Sequence, residues 1–450
     1  MNNNLYKNKL LDCTVEEYFL ARFAFDKDTC RGFILNDLFK NKPYTTYTAD
    51  TVSTYNHKKM QAVLQNFLAT QNLEIVDITG YTNLNYDVPT MMEMYTDNQT
   101  TINIYKSGFF RIGNSVKTIC LNIEASPRGE YYYTTYTANE DVSFLRLWMD
   151  YANANNIFKN KKIDCEGNFL NLQDISWEDV VLDEGVKESI VANVQEMFSL
   201  CDEFKKHGMS VKRGVILHGE PGTGKTKICR CLAKDANYSV LYALPSSFKC
   251  ITSIKSICDM AKDLAPCLLI IEDIDWIAQD RNKGAAPIVM ELMNRIDGIE
   301  TFGDIITLGT TNSLNELEEA VKNRPGRFDR LIKIGLPSLQ SIEKMICTFT
   351  RKFVLDNKID IKRLSKCCES LSGAHVYDLC NTAAINAVRQ KSYEGDNLLL
   401  KNKHFIDAIQ EIRNKNYSSY LEMQSKGNSF GFSNSSAACN IESYLADCNW

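Results

Sequence analysis

Eight residues, Gly219-Glu220-Pro221-Gly222-Thr223-Gly224-Lys225-Thr226, constrain this chain more than any other stretch. They fit the spacing G-x-x-x-x-G-K-[ST]. Just before them, Gly214-Val215-Ile216-Leu217-His218 is an apolar run short enough for a buried parallel strand. Just after them, Lys227 to Ala233 carries apolar residues at helical spacing. Strand, glycine loop and helix in that order make a cradle for phosphate. Gly222 and Gly224 let backbone N–H groups curl inward, and the helix N-terminus adds partial positive charge. In such a cradle Lys225 reaches the β- and γ-phosphates of a nucleotide, and Thr226 offers its hydroxyl to Mg2+. Glu220, Pro221, Thr223 and Lys227 complete the expected nucleotide contacts.

The surrounding sequence extends the pattern. Tyr238–Leu244 reads as a second strand and Ile254–Leu264 as a helix. Leu268-Leu269-Ile270-Ile271 is a third strand, apolar enough to be buried on both faces, ending at Glu272-Asp273. Pro287–Ile296 reads as a helix, Ile305–Thr311 as a fourth strand ending at Asn312, and Ile332–Gly335 as a fifth. Strands alternating with helices imply a parallel sheet whose ligands bind at the strands' carboxyl ends. The phosphate loop, the Glu272-Asp273 pair and Asn312 all fall there.

At 450 residues the chain has room for two or three domains. Its first 170 residues or so read as a separate α+β domain, with a helix over Lys58–Ala69, strands near Leu73–Thr79, Thr101–Tyr105, Phe109–Ile112, Thr118–Ile123 and Tyr131–Tyr136, and a helix from Val142 to about Ala154. Ser107-Gly108 and Pro127-Arg128-Gly129 read as turns. This domain holds fourteen of the chain's 21 tyrosines, either a binding face or the ordinary preference of strands for tyrosine. A polar Asn- and Lys-rich stretch, Ala152 to Asn171, reads as a linker. From Pro337 to about Tyr417 the pattern is helical, and Ser425 to Asn440 has the Gly/Ser/Asn composition of a disordered tail. The expected domains are therefore 1–172, 173–336 and 337–417, followed by the tail 418–450. The net charge of −5 argues against a general nucleic-acid binder. Sixteen scattered cysteines, with no C-x-x-C pair, suit reduced thiols in a cytoplasmic compartment. The Met1-Asn2-Asn3-Asn4 start opens no signal peptide, and no apolar run approaches a membrane span, so no membrane is expected.

Residues 174 to about 415 resemble the AAA family of ATPases through several motifs in order. Trp177-Glu178-Asp179-Val180 and Val186-Lys187 resemble the segment that the family sets against adenine. Met293-Asn294-Arg295-Ile296-Asp297-Gly298 resembles its "LLxxxDG" helix. Gly309-Thr310-Thr311-Asn312 carries its sensor asparagine, and Asn323-Arg324-Pro325-Gly326-Arg327-Phe328-Asp329 resembles its second region of homology. Ser372-Gly373-Ala374-His375 is similar to the lid motif "SGAD".

The resemblance implies a P-loop, five-stranded parallel AAA core with helices on both faces, a small all-helical lid and the α+β domain in front. It implies Mg2+-dependent ATP hydrolysis with ATP and Mg2+ as cofactors, in a homo-oligomer, a hexamer, that remodels protein substrates taken up by the N-terminal domain. Asp179, Val180, Gly373 and Ala374 would meet the nucleotide base. Arg324 and Arg327 would be arginine fingers offered to the neighbouring subunit. The family's third strand ends Asp-Glu, whereas this chain has Glu272-Asp273. The reversal assigns Glu272, with Thr226, to Mg2+ and Asp273 to the attacking water. The same reversal, with Val180-Val181-Leu182-Asp183, Val194-Gln195-Glu196 and Arg213-Gly214, resembles the mitochondrial AAA translocase group that handles the Rieske protein, without its transmembrane segment. Phe248-Lys249-Cys250 lies where the family places a pore aromatic, so Phe248 either faces a pore or tucks under the next helix. A DNA-linked loader and a slowly hydrolysing nucleotide switch are the alternatives.

Overall fold

The structure is a computed structural model. It describes residues 45–48, 52–79, 90–95, 101–114, 117–126, 130–137, 143–207, 212–248, 251–279, 304–314, 328 and 330–411. The chain divides into two compact units, Met1–Leu170 and Asn171–Trp450.

The first unit is an antiparallel sheet with helices packed on it. Its elements are β1 (Thr45–Thr48), β2 (Val52–Ser53), α1 (Thr54–Ala62), α2 (Leu64–Thr70), β3 (Glu74–Thr79), β4 (Thr90–Tyr95), β5 (Thr101–Gly113), β6 (Thr118–Ala125), β7 (Glu130–Thr137), α3 (Phe144–Ala154) and β8 (Lys162–Asp164). The sheet runs β1-β7-β6-β5-β3, with β2 on β7 and β4 on β5. Two of the expected strands are one. β5 passes straight through Ser107-Gly108, its first half pairing β4 and its second half pairing β3 and β6. The expected turn is thus a change of partner, with the β4 register shifting at Thr90/Met91. Trp148 on α3 anchors the core, fully buried with its indole N–H donating to the Met60 carbonyl at 3.0 Å.

The Asn- and Lys-rich run that begins in the last turn of α3 does not behave as a linker. Phe158 and Ile163 are fully buried, and Ile163 bridges to Phe169. Its amides serve buried groups of α1: Lys58 donates to Asn168 Oδ1 at 2.6 Å, Lys59 to Asn153 Oδ1 at 2.7 Å, and Asn156 to the Tyr55 hydroxyl at 2.9 Å. Composition suggested solvation. The asparagines are instead the acceptors that allow two lysines to be buried.

The second unit is built on a parallel sheet. After a single 3-10 turn at Trp177–Asp179 come α4 (Val186–Ser199), α5 (Cys201–Lys206), β9 (Lys212–His218), α6 (Lys225–Asp235), β10 (Ser239–Ala243), α7 (Ile251–Asp263), β11 (Cys267–Ile271), α8 (Ile274–Gln279), β12 (Ile305–Thr311) and β13 (Arg330–Lys333). These strands run β13-β9-β12-β11-β10, every pairing parallel. β10, β11 and β12 are buried throughout; β11 is apolar at every position, while β10 and β12 also bury Ser239, Thr307, Thr310 and Thr311. The order sets β12 between β9 and β11, so the three strand ends carrying the motifs are neighbours.

The lid comprises α9 (Leu339–Thr350), β14 (Val354–Leu355), α10 (Ile361–Cys367), α11 (Gly373–Arg389), β15 (Tyr393–Glu394), β16 (Asn397–Leu400) and a helical stretch over 402–411. It is mostly helical rather than all-helical. The difference is the three-stranded sheet β14-β16-β15, whose hairpin turns on Gly395 at φ 58°.

Candidate nucleotide site

The glycine loop bridges β9 and α6. Gly219, Gly222 and Gly224 all have positive φ. At Gly219 a Cβ would stand 1.9 Å from the Ile334 carbonyl oxygen. At Gly222 (φ 76°) it would stand 2.7 Å from Ser372 Oγ and 2.9 Å from the Ala374 Cβ. No other residue fits this path. The Lys225 ammonium is buried and donates to the carbonyls of Gly219 (2.7 Å) and Glu220 (2.9 Å), which holds it across the loop. Burial lowers its pKa, while Asp273 and Asp275 nearby act to raise it. Thr223 is tied back to the Glu220 carbonyl at 2.9 Å, Pro221 is exposed, and Thr226 is exposed in the first turn of α6.

The two acids at the end of β11 go to different places. Glu272 is buried and accepts from the Tyr242 hydroxyl at 2.7 Å. Asp273 sits in the left-handed region at φ 46°. Its N–H donates to Thr310 Oγ1 at 2.9 Å, and its Oδ1 accepts from Asn312 Nδ2 at 3.3 Å. Asn312 N–H donates in turn to Asp275 Oδ1 at 3.4 Å. The Asp273 pKa is raised by burial first and by Asp275 second, against Lys225 and the Asn312 hydrogen bond. Asp273, Asn312 and Lys225 therefore form one electrostatic cluster at three adjoining strand ends. Thr310 and Asp275 belong to it although sequence reasoning gave neither a role. Their signal was positional: Thr310 lies within the quoted Gly-Thr-Thr-Asn, and Asp275 two residues beyond Asp273.

The lid meets the loop directly. Ala374 N–H donates to the Gly222 carbonyl at 2.9 Å, and Gly373 lies against Met345. Ser372 occupies the N-cap position of α11 without a side-chain bond to the helix backbone, and its hydroxyl instead shares a 2.9 Å hydrogen bond with the His375 ring. Asp179 carries an ion pair with Arg351 at 2.9 Å, and its carbonyl accepts from Lys227 at 3.0 Å. Lys227, expected at the phosphates, thus turns toward Asp179, with its ammonium 5.9 Å from the Phe349 ring centroid. Val180 lines a cleft of about 1110 Å3 between the segment 178–188, α9 and residues 357–362. Phe248 is 6% exposed, so within the chain it is tucked in. Arg324, Arg327 and the Pro287–Gly298 helix lie outside the described residues.

The site suits a magnesium nucleotide. A loop with no room for a Cβ at Gly219 or Gly222, an amine held across it and an exposed threonine are what polyphosphate needs. Mg2+ ordinarily takes few protein oxygens beside its phosphates and waters. Among the described residues there is no cluster of three or more His, Cys, Asp or Glu that could hold a metal by itself. Nor is any helix there long and apolar enough to cross a membrane.

Comparison with known proteins agrees with this geometry. Residues 215–336 match the family model "ATPase family associated with various cellular activities (AAA)". The chain is 32% identical over 273 residues to an ATP-dependent zinc metalloprotease FtsH 2 of Thermoanaerobacter, covering 58% of this chain and 51% of that protein. It is 30% identical over 268 residues to a cell division cycle protein 48 homologue of Archaeoglobus fulgidus, covering 53% and 36%. It is 30% identical over 233 residues to the proteasome-activating nucleotidase of the same organism, covering 48% and 58%. The chain thus spans between about a third and three-fifths of the length of these relatives. Fold, loop and family match agree that the second unit contains an AAA ATPase domain.

Proposed function

We propose that this chain hydrolyses ATP with Mg2+ and uses the cycle to remodel protein substrates as a homo-oligomeric ring, a hexamer. The observation that carries the reading is the convergence of the glycine loop, Asp273 and Asn312 at neighbouring strand ends, with the lid bonded to the loop at Gly222. In this reading the loop amides and Lys225 hold the phosphates, while Val180, Gly373 and Ala374 border the base. Thr226 and Glu272 serve the metal. Bound Mg2+ supplies charge neutralisation on the phosphates. Asp273, made more basic by burial and oriented by Asn312, polarises the attacking water. Arg324 and Arg327 act on the neighbouring subunit's nucleotide, which makes the ring a requirement for turnover.

A protein substrate is favoured because the relatives are named as a protease and a proteasome activator. The Tyr-rich first unit is the substrate adaptor. The Glu272-Asp273 order supports a likeness to the Rieske-protein translocase group. No disulfide joins the cysteines among the described residues, which supports a reducing, cytoplasmic setting.

The test is ATPase activity with a permanently unfolded protein or single-stranded DNA as stimulant. Unfolded protein should accelerate turnover. Stimulation by DNA alone would favour a loader, and neither stimulant acting on a slow basal rate would favour a nucleotide switch. Removing residues 1–170 should spare basal hydrolysis and abolish the stimulation, whereas loss of nucleotide binding would show that the second unit depends on the first.

A further inference from the structure

Glu272 is one methylene longer than the aspartate that the family resemblance expects there, and it is held by a residue outside every motif. The register of β10 on β11 sets Tyr242 beside Ile270 and Ala243 beside Ile271. Side chains alternate along a strand, so Tyr242, Ile270 and Glu272 share one face. The Tyr242 hydroxyl donates to Glu272 Oε1 at 2.7 Å, with both residues under a tenth exposed. Of the two groups the phenol supplies the O–H and the carboxyl oxygen accepts it. Cys229, three residues past Thr226 on α6, is fully buried near both acids, and burial raises its pKa. It is a neutral neighbour that offers Glu272 no charge.

A glutamate has one more rotatable bond than an aspartate, so its carboxylate needs an anchor to stay in one place. We propose that Tyr242 is a positioning residue that fixes the Glu272 carboxylate for the magnesium of the bound nucleotide, one oxygen held by the phenol and the other left for the metal's water shell. The inference rests on the reading above, in which Glu272 serves the metal. It adds that glutamate and tyrosine act as one unit, the tyrosine reaching the acid only because the acid is long.

The experiment uses the full chain and a fluorescent ADP analogue, titrated in EDTA and again in Mg2+, with urea midpoints measured in parallel. Tyr242→Phe removes one hydroxyl and keeps the ring. Its affinity in EDTA should match the unsubstituted chain, while the tightening produced by Mg2+ should fall about ten- to a hundred-fold, the worth of a hydrogen bond to a charged group. The Mg2+ concentration for half-maximal turnover should rise in step. Glu272→Asp keeps the charge but draws the oxygens back from the phenol, so it should lose the same tightening. The double variant should then be no worse than either single one. Should Tyr242→Phe prove unstable, Glu272→Asp carries the test alone: magnesium tightening equal to that of the unsubstituted chain overturns the proposal. So does a Tyr242→Phe chain that loses stability but keeps its tightening, or additive losses in the double variant. A chain whose unsubstituted form shows no magnesium tightening refutes the metal reading of Glu272 itself, a different and distinguishable failure.

Discussion

Replacing Asp273 by Asn isolates the charge that the proposed mechanism needs. Asp273 holds φ 46°, a region costly for most L-residues but open to Asn, so the backbone can stay where it is. Its N–H bond to Thr310 Oγ1 is unaffected, and the amide oxygen can still accept from Asn312 Nδ2. What disappears is a carboxylate whose pKa is raised by burial and by Asp275, hence a stronger base than a free aspartate. A positioned base contributes ~10²–10⁴ in rate. That is roughly 3–5 kcal/mol of barrier. Nucleotide binding should persist, because the change removes negative charge near Lys225 rather than a phosphate contact. The assay is single-turnover hydrolysis with the chain in excess over labelled ATP at saturating Mg2+, run beside Glu272→Gln. Asp273→Asn should bind ATP and hydrolyse it ~10²-fold or more slowly. Glu272→Gln should need more Mg2+ and recover part of its rate when Mg2+ is raised. If Asp273→Asn turns over at the unsubstituted rate while Glu272→Gln is dead at every Mg2+ concentration, the roles are reversed and Glu272 is the base.

Gly222→Ala forces a Cβ to within 2.7 Å of Ser372 Oγ at φ 76°, so it should weaken nucleotide affinity about tenfold or more by titration; unchanged affinity would mean the lid yields freely. Arg327→Ala should bind ATP normally but lose on the order of 10³-fold in turnover, and full activity in a strictly monomeric sample would remove the finger assignment. His57 is fully buried, shares a 2.7 Å hydrogen bond with the Tyr133 hydroxyl, and is lowered from 6.5 to about 3, chiefly by burial. The folded first unit therefore binds fewer protons than the unfolded chain between those values. Its stability is full above pH 6.5 and lost as pH falls toward 3, by about 2 kcal/mol at pH 5. Urea unfolding followed by Trp148, with the other three tryptophans replaced, should show that slope, and His57→Gln should flatten it.

The parts of the site legible in the sequence were those whose chemistry is local. Gly219 to Thr226 must bend around phosphate whatever the rest of the chain does, and the apolar run of β11 can only be buried. Less legible was everything decided by a partner far along the chain. Ser107-Gly108 looks like a turn until β4 and β6 are seen to pair its two sides. Residues 152–170 look solvated until Lys58 and Lys59 are found needing acceptors. Tyr242 read as an ordinary strand tyrosine, since nothing local says that Glu272 lies two positions past its register partner. His375 stands where the lid motif has Asp, and only the structure pairs its ring with the Ser372 hydroxyl.

The lid is joined to the sheet domain by ties of unequal strength, and their order bears on how a nucleotide could move it. Asp183 is the firm one: it accepts from the Ser338 N–H and hydroxyl at 3.3 and 2.8 Å and from the Ser341 hydroxyl at 2.7 Å. Burial opposes its charge, yet those hydrogen bonds outweigh it and hold the pKa below the usual carboxylate range. This tie fastens the N-terminus of α9 and fits a pivot. The Arg351–Asp179 pair is the weak one, with Arg351 half exposed, and such pairs contribute about 0–1 kcal/mol. It can break and re-form at little cost. Between them lies the single bond from Ala374 N–H to the Gly222 carbonyl. Gly222 is also the loop glycine that the lid crowds, through Ser372 and Ala374. A small change in the loop's path on binding or losing phosphate would thus be felt first at α11, with α9 held at Asp183 and the Arg351 contact free to slip. The three contacts rest on different residues, so variants at Asp183, Arg351 and Gly222 should separate their contributions to nucleotide affinity.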